Sequence, residues 1–139
     1  MERAKKLFHQ IELKRKNYFG NLVKETNLSM FELEILDFIN RCPESNTFTE
    51  ILNLKEYSKS HISTSITKLL NEGYIEKEQR EGNKKVVYLK LLSKSERVIE
   101  RYNESAKNFR KVAFEDISNE EVDAFLNILT KISLNLERE

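Results

Sequence analysis

The side chains best suited to chemistry are concentrated in 59–73, which reads Lys-Ser-His-Ile-Ser-Thr-Ser-Ile-Thr-Lys-Leu-Leu-Asn-Glu-Gly. At about 100° per residue on a helix, Ile62, Ile66, Leu69 and Leu70 fall on one face. Ser60, His61, Thr64, Thr67 and Lys68 fall on the other, with Lys59 at the start and Ser63 at the margin. Serine and threonine are mediocre helix formers, so an exposed face chosen for stability alone would carry Glu, Lys and Ala instead. Short hydroxyls approach phosphates and base edges closely, and a narrow polar helix face fits a major groove about 12 Å wide. Lys59 and Lys68 add charge that neutralises phosphates. The chemistry implied is noncovalent: hydrogen bonding to bases and neutralisation of a nucleic-acid backbone.

A second group of polar and cationic side chains follows at Arg80, Asn83, Lys84 and Lys85. They lie in the run 80–85, between two stretches rich in Val, Ile and Tyr, 74–79 and 86–91, that read as strands. Gly82-Asn83 supplies the permissive backbone of a hairpin tip. Cations on such a tip reach along a phosphate backbone or into the flanking minor groove. Either feature alone also occurs as an ordinary solvated surface or as the guard of a sheet edge. Their order carries the argument: short helix, turn, hydroxyl-rich helix ending in Gly73, basic hairpin.

The elements that must hold this pair in place are marked by Ser or Thr followed three residues later by Glu, the signature of a helix start. It occurs at Ser29/Glu32, Thr47/Glu50, Ser93/Glu96 and Ser118/Glu121. The first segment, 3–24, reads as one amphipathic helix, bent near Gly20, with Leu7, Ile11, Tyr18 and Leu22 on a broad stripe beside Phe8 and Phe19. A crowded apolar helix over 29–41 forms the centre of the core and ends before Pro43; 43–46 is a loop. A short helix follows over 48–54, a turn over 55–58, and two long helices over 93–114 and 118–136 close the chain. In the last, Val122, Phe125, Leu129, Ile132 and Leu136 recur at helical steps, a seam suited to another helix. Ile99, Tyr102, Ala106 and Phe109 form a comparable line on the helix before it. With Leu7 and Ile11 these lines are candidates for a dimer interface, the alternative being packing within one protomer.

The expected architecture is mainly α with a two-stranded β-hairpin wing, a winged helix-turn-helix with N- and C-terminal dimerisation helices. A single domain is expected over 1–139, with the reading head at 29–92 and helical dimerisation regions at 1–26 and 93–139. A chain of 139 residues, 39% hydrophobic, suits one core. Net charge is only +1 but segregated: +5 over 1–24, −5 over 25–58, +3 over 59–90, +3 over 91–114 and −5 over 115–139. The single cysteine, Cys42, excludes an internal disulfide and reads as a partly buried structural thiol; redox sensing beside Arg41 is the other reading. No apolar run approaches the roughly 20 residues that cross a bilayer, and 1–10 is too polar for a signal sequence, so the cytoplasm is expected. No nucleophile with a base, no paired carboxylates beside an activating partner and no glycine-rich phosphate loop is found, so the chain does not read as an enzyme. His9 and His61 have no ligand-spaced neighbours, so neither metal nor cofactor is expected; His61 reads equally as a DNA-facing or a capping histidine.

The stretch Ile-Ser-Thr-Ser-Ile-Thr-Lys-Leu-Leu-Asn-Glu-Gly-Tyr-Ile at 62–75 resembles the recognition helix and first wing strand of the MarR family, bacterial regulators of the multiple antibiotic resistance type. The likeness extends over nearly the whole chain. It implies a homodimer that binds a pseudo-palindromic operator on double-stranded DNA, usually as a repressor. It also implies a small aromatic or lipophilic effector bound between reading head and dimer helices, although no residue set here identifies one. The sequence departs from the family where Asn83-Lys84-Lys85 stands in place of an Asp-Arg-Arg type wing, and where Thr64 replaces a frequent Arg. Lysine brings a point charge without arginine's planar fork. The rival from another class is a winged helix that docks a protein partner without binding DNA.

Overall fold

The computed structural model describes residues 1–43, 46–52 and 57–138. Its elements are α1 (Glu2–Asn17), α2 (Gly20–Thr26), α3 (Met30–Arg41), α4 (Phe48–Leu52), α5 (Lys59–Asn71), β1 (Ile75–Arg80), β2 (Asn83–Leu91), α6 (Lys94–Ala113) and α7 (Asn119–Glu137). Chain contacts divide it into two compact units, 1–108 and 109–139, with the boundary inside α6. The expected turn over 55–58 and the end of the helix expected over 48–54 fall largely outside the described residues, as does part of the loop over 43–46.

In the first unit α3 is the centre of the core because its sequence is apolar on almost every side. Phe31, Leu33, Ile35, Leu36 and Ile39 are buried, together with Leu22 and Leu28 before it and Ile51, Ile62, Ile66, Leu69, Ile75 and Leu89 after it. Its start is fixed by a reciprocal cap. The Ser29 hydroxyl accepts from the Glu32 N–H at 3.1 Å, and the Glu32 carboxylate accepts from the Ser29 N–H at 2.8 Å.

The N-terminal segment is not the single bent helix expected from its periodicity. It breaks at Tyr18–Phe19, between α1 and α2. Phe19 is only 1% exposed and lies 5.0 Å from the Tyr102 ring, whereas α1 before it has no buried side chain. The chain turns to drive one aromatic ring into the core, a tertiary demand that helical periodicity does not encode.

The hairpin is also longer and tighter than expected. Arg80 pairs directly with Asn83, and Gly82 takes the left-handed conformation, φ 83°, that closes the tip in two residues. Strand β2 therefore already begins at Asn83, so 83–85, which the sequence assigned to the turn, belong to the strand, and the register shifts between Glu78 and Arg80. The hairpin is pinned at two points. Asn46 donates its side-chain N–H to the Leu89 carbonyl at 2.6 Å and accepts the Leu89 N–H on its backbone carbonyl at 2.9 Å. At the root, Tyr74 accepts from the Leu92 N–H at 2.9 Å and from the buried Ser95 hydroxyl, while Lys94 donates to the Glu72 carbonyl at 2.7 Å.

In α6, Ile99 is buried in this core and Tyr102 packs against it, so these two belong to the protomer's own interior and not to the outer seam proposed from spacing. In the second unit, α7 opens with a complete Ser118/Glu121 capping box and has no buried side chain. No described helix is long and apolar enough to cross a membrane.

Candidate nucleic-acid interface

Helix α5 starts at Ser58, whose hydroxyl accepts from the His61 N–H at 3.1 Å. This cap fixes which residues face inward. Ile62, Ile66 and Leu69 are 0% exposed, and Ser65 is buried beside them. The opposite face carries Lys59, Ser60, His61, Thr64 and Thr67, all exposed, with Ser63 half-buried at its edge. The helix thus presents a polar strip of short side chains on a fully packed apolar base, as the sequence pattern implied.

Two of these residues are already engaged locally. The Thr64 hydroxyl donates to the Ser60 carbonyl at 2.9 Å, which leaves the oxygen of this exposed side chain free to act as an acceptor. The His61 ring stacks on Phe31 at 5.0 Å and on Tyr57 at 5.4 Å, and those two rings stack at 3.9 Å. His61 is therefore braced at the N-terminal end of α5. Tyr57 was not singled out in the sequence; it lies outside any periodic stretch, and only the fold brings it against Phe31.

Lys68 does not stand with the outward face to which its helical angle assigned it. Its ammonium donates to the Asn27 carbonyl at 2.6 Å and to the Glu32 carboxylate at 2.9 Å. Glu32 is only 5% exposed, so the lysine side chain bends across α5 to meet a carboxylate that would otherwise be buried without a cation. The long flexible stem allows this; a periodicity argument that treats the side chain as a radial spoke cannot see it.

On the wing, the Arg80 guanidinium lies 3.7 Å over the Tyr88 ring, a cation–π contact that holds it at the hairpin tip. Lys85 is exposed on the neighbouring strand. The roles expected of the Asn83 and Lys84 side chains fall outside the described residues. No group of metal-ligating side chains occurs among the described residues.

The stretch 28–92 matches the family model described as a winged helix DNA-binding domain. The HTH-type transcriptional regulator PchR of Bacillus subtilis (strain 168) is 30% identical over 121 residues, which span 84% of this chain and 70% of that protein. A MarR protein from Peptoclostridium difficile DA00132 superposes with a TM-score of 0.72 at 26% identity, covering 95% of this chain and 87% of the other. A MarR-family transcriptional regulator from Listeria monocytogenes, solved with a 26mer DNA, superposes at 0.73 with 19% identity, covering 93% and 87%, a likeness of fold alone. Relatives of this kind, at this identity and coverage, account for the packed helix, the capped polar face and the hairpin together: the chain belongs to the MarR family of winged helix-turn-helix DNA-binding transcriptional regulators.

Proposed function

We propose that the protein acts as a homodimer on a pseudo-palindromic operator and represses by occupying the promoter. Ser60, His61, Ser63, Thr64 and Thr67 of α5, led by Lys59, enter the major groove, and Arg80 and Lys85 of the wing, with Asn83 and Lys84, meet the adjacent backbone or minor groove. The observation that carries this reading is the division of α5: its apolar side chains are sealed in the core while short hydroxyls occupy the exposed face. A helix facing only water gains nothing from serine and threonine there, whereas in a groove such side chains reach phosphates and base edges at close range. Such a regulator works in the cytoplasm, where its operator is.

Dimerisation is proposed on the faces of α1 and α7. Leu7 and Ile11 are 48% and 52% exposed, and Phe125, Leu129, Ile132 and Leu136 are 47%, 41%, 50% and 64% exposed. Phe109 and Val122, the other two residues of the proposed interface, are half-buried. Two heads on one face of B-DNA must lie about 34 Å apart, and a two-fold dimer provides that spacing. A small aromatic or lipophilic effector that releases the operator completes the proposal. A protein-docking role without DNA is not favoured, because the match at 28–92 is to a DNA-binding domain.

The test is fluorescence anisotropy with the protein's own promoter region and a scrambled duplex at two salt concentrations. Tight promoter binding that weakens steeply with salt is expected, since phosphate contacts release counterions. Equal affinity for both duplexes would refute sequence-specific reading.

A further inference from the structure

Lys68 ties three elements at one point. Asn27 ends α2 in the left-handed conformation, φ 57°, with its N–H on the Val23 carbonyl, and its own carbonyl accepts from Lys68. Two residues on, Ser29 begins α3, and its cap partner Glu32 accepts from both the Ser29 N–H and Lys68 on the same oxygen, Oε1. The corner itself is braced: the Thr26 hydroxyl donates to the Leu22 carbonyl at 2.7 Å and accepts from the Leu28 N–H at 3.2 Å. Leu28 within it is 1% exposed. The corner is therefore fixed, and its electronegative groups converge where the last turn of α5 passes.

That arrangement gives the lysine a purpose different from phosphate binding. Its side chain is 33% exposed and its two acceptors include a carboxylate that is 7% exposed. Moving the ammonium to a phosphate would strand that carboxylate in the core without its cation. We infer that Lys68 is a positioning residue: through Glu32 and the Asn27 carbonyl it sets where α5 lies against the α2–α3 corner, and so governs discrimination between sequences, not grip on the backbone. The inference rests on the DNA reading proposed above and deepens it.

The consequence separates the two roles. A phosphate contact adds equally to every duplex and contributes about 0.9 to the salt slope. A positioning contact adds nothing to the slope and acts only where base edges are read, each well-made base contact being worth about tenfold or more in affinity. Affinities for promoter and scrambled duplexes are measured across a salt series for the wild type, Lys68→Met, Lys68→Arg, and Lys68→Met combined with Glu32→Gln. Lys68→Met is expected to lose roughly tenfold on the promoter, under about twofold on the scrambled duplex, with the slope unchanged. Lys68→Arg, whose guanidinium spans both acceptors, restores most of the discrimination. Adding Glu32→Gln to Lys68→Met costs nothing further, because the two act as one unit. This double variant leaves no unpaired buried carboxylate, so it carries the test if Lys68→Met fails to fold.

A parallel loss on both duplexes with the slope lower by about 0.9 would overturn the inference in favour of a phosphate contact. An unchanged ratio between the duplexes would overturn it too. Failure of the DNA reading is visible separately, in a wild type that binds neither duplex.

Discussion

At the level of single residues, hydrogen-bond direction decides what the reading face can recognise. Thr64 donates its only hydroxyl proton to the Ser60 carbonyl, so in the proposed groove-facing role it would offer an acceptor and a methyl group. It suits the exocyclic amino groups of cytosine or adenine, or the thymine methyl, and not the acceptor-only edge of guanine. Thr64→Ala is expected to change base preference at one operator position by about 1 kcal/mol while leaving the salt slope intact. Binding a set of single-base operator variants checks this, and an equal loss on all of them would show that Thr64 does not read sequence. Arg80 is the converse case. Stacked on Tyr88 at the hairpin tip, it is a cation held out from the protein at little cost in side-chain entropy. Arg80→Ala is expected to weaken binding to every duplex and lower the salt slope by about 0.9. A slope identical to wild type would place Arg80 off the DNA.

At the level of elements, the caps are where sequence and structure agree best, because a cap is a local device read from three or four adjacent residues. Ser29/Glu32 and Ser118/Glu121 are both complete boxes. Thr47 provides the hydroxyl half at 3.1 Å to the Glu50 N–H, whereas the first bond at Ser93 is from the Glu96 N–H to its backbone carbonyl, also at 3.1 Å. The cap of α5, Ser58, was not legible, because no Glu follows it at the required spacing. The other features the sequence withheld depend on distant partners: the α1–α2 break on the burial of Phe19 beside Tyr102, the brace of His61 on Phe31, and the course of Lys68 on Glu32. In the reading head the inward face of α5 was legible because Ile62, Ile66 and Leu69 are short and radial, whereas the long side chain of Lys68 turns away from the direction its helical angle predicts. Ser118→Ala is expected to destabilise the protein by about 1 kcal/mol in urea unfolding, through the lost cap. The box also has an acid limit. The Ser118 backbone N–H, and then its hydroxyl, hold the Glu121 carboxyl below its usual 4.5. A carboxyl lowered in the folded state stabilises above that ordinary value, and the stabilisation fades as pH falls through the lowered one. Glu121→Gln should therefore flatten the acid limb of a stability–pH curve in that window; an unaltered limb would mean that the box is not formed in solution.

At the level of the whole molecule, the most demanding feature is what α7 leaves in water. Phe125, Leu126, Ile128, Leu129, Ile132, Leu134 and Leu136 are all at least 41% exposed on one helix. Burying a side chain of this kind is worth about 1.5–3 kcal/mol, and monomeric proteins seldom leave a contiguous apolar patch beyond a few hundred Å². A second copy related by a two-fold axis covers such a face with its own equivalent and closes the assembly without open-ended growth. In the proposed dimer such an axis would also set the separation of the two reading heads, which would couple dimerisation to operator recognition. Ile132 is 50% exposed and makes no contribution to the core of the first unit, so Ile132→Glu places a charge on the proposed interface and leaves the core of the reading head untouched. Sedimentation at micromolar concentration should then give a monomer with helical content preserved. Promoter affinity should fall by at least about 100-fold, because one head engages one half-site and the second no longer binds as a tethered neighbour. A variant that remains dimeric with full promoter affinity would move the interface off this face of α7. A monomer with undiminished affinity would separate dimerisation from recognition, and the operator would then have to be read by a single head.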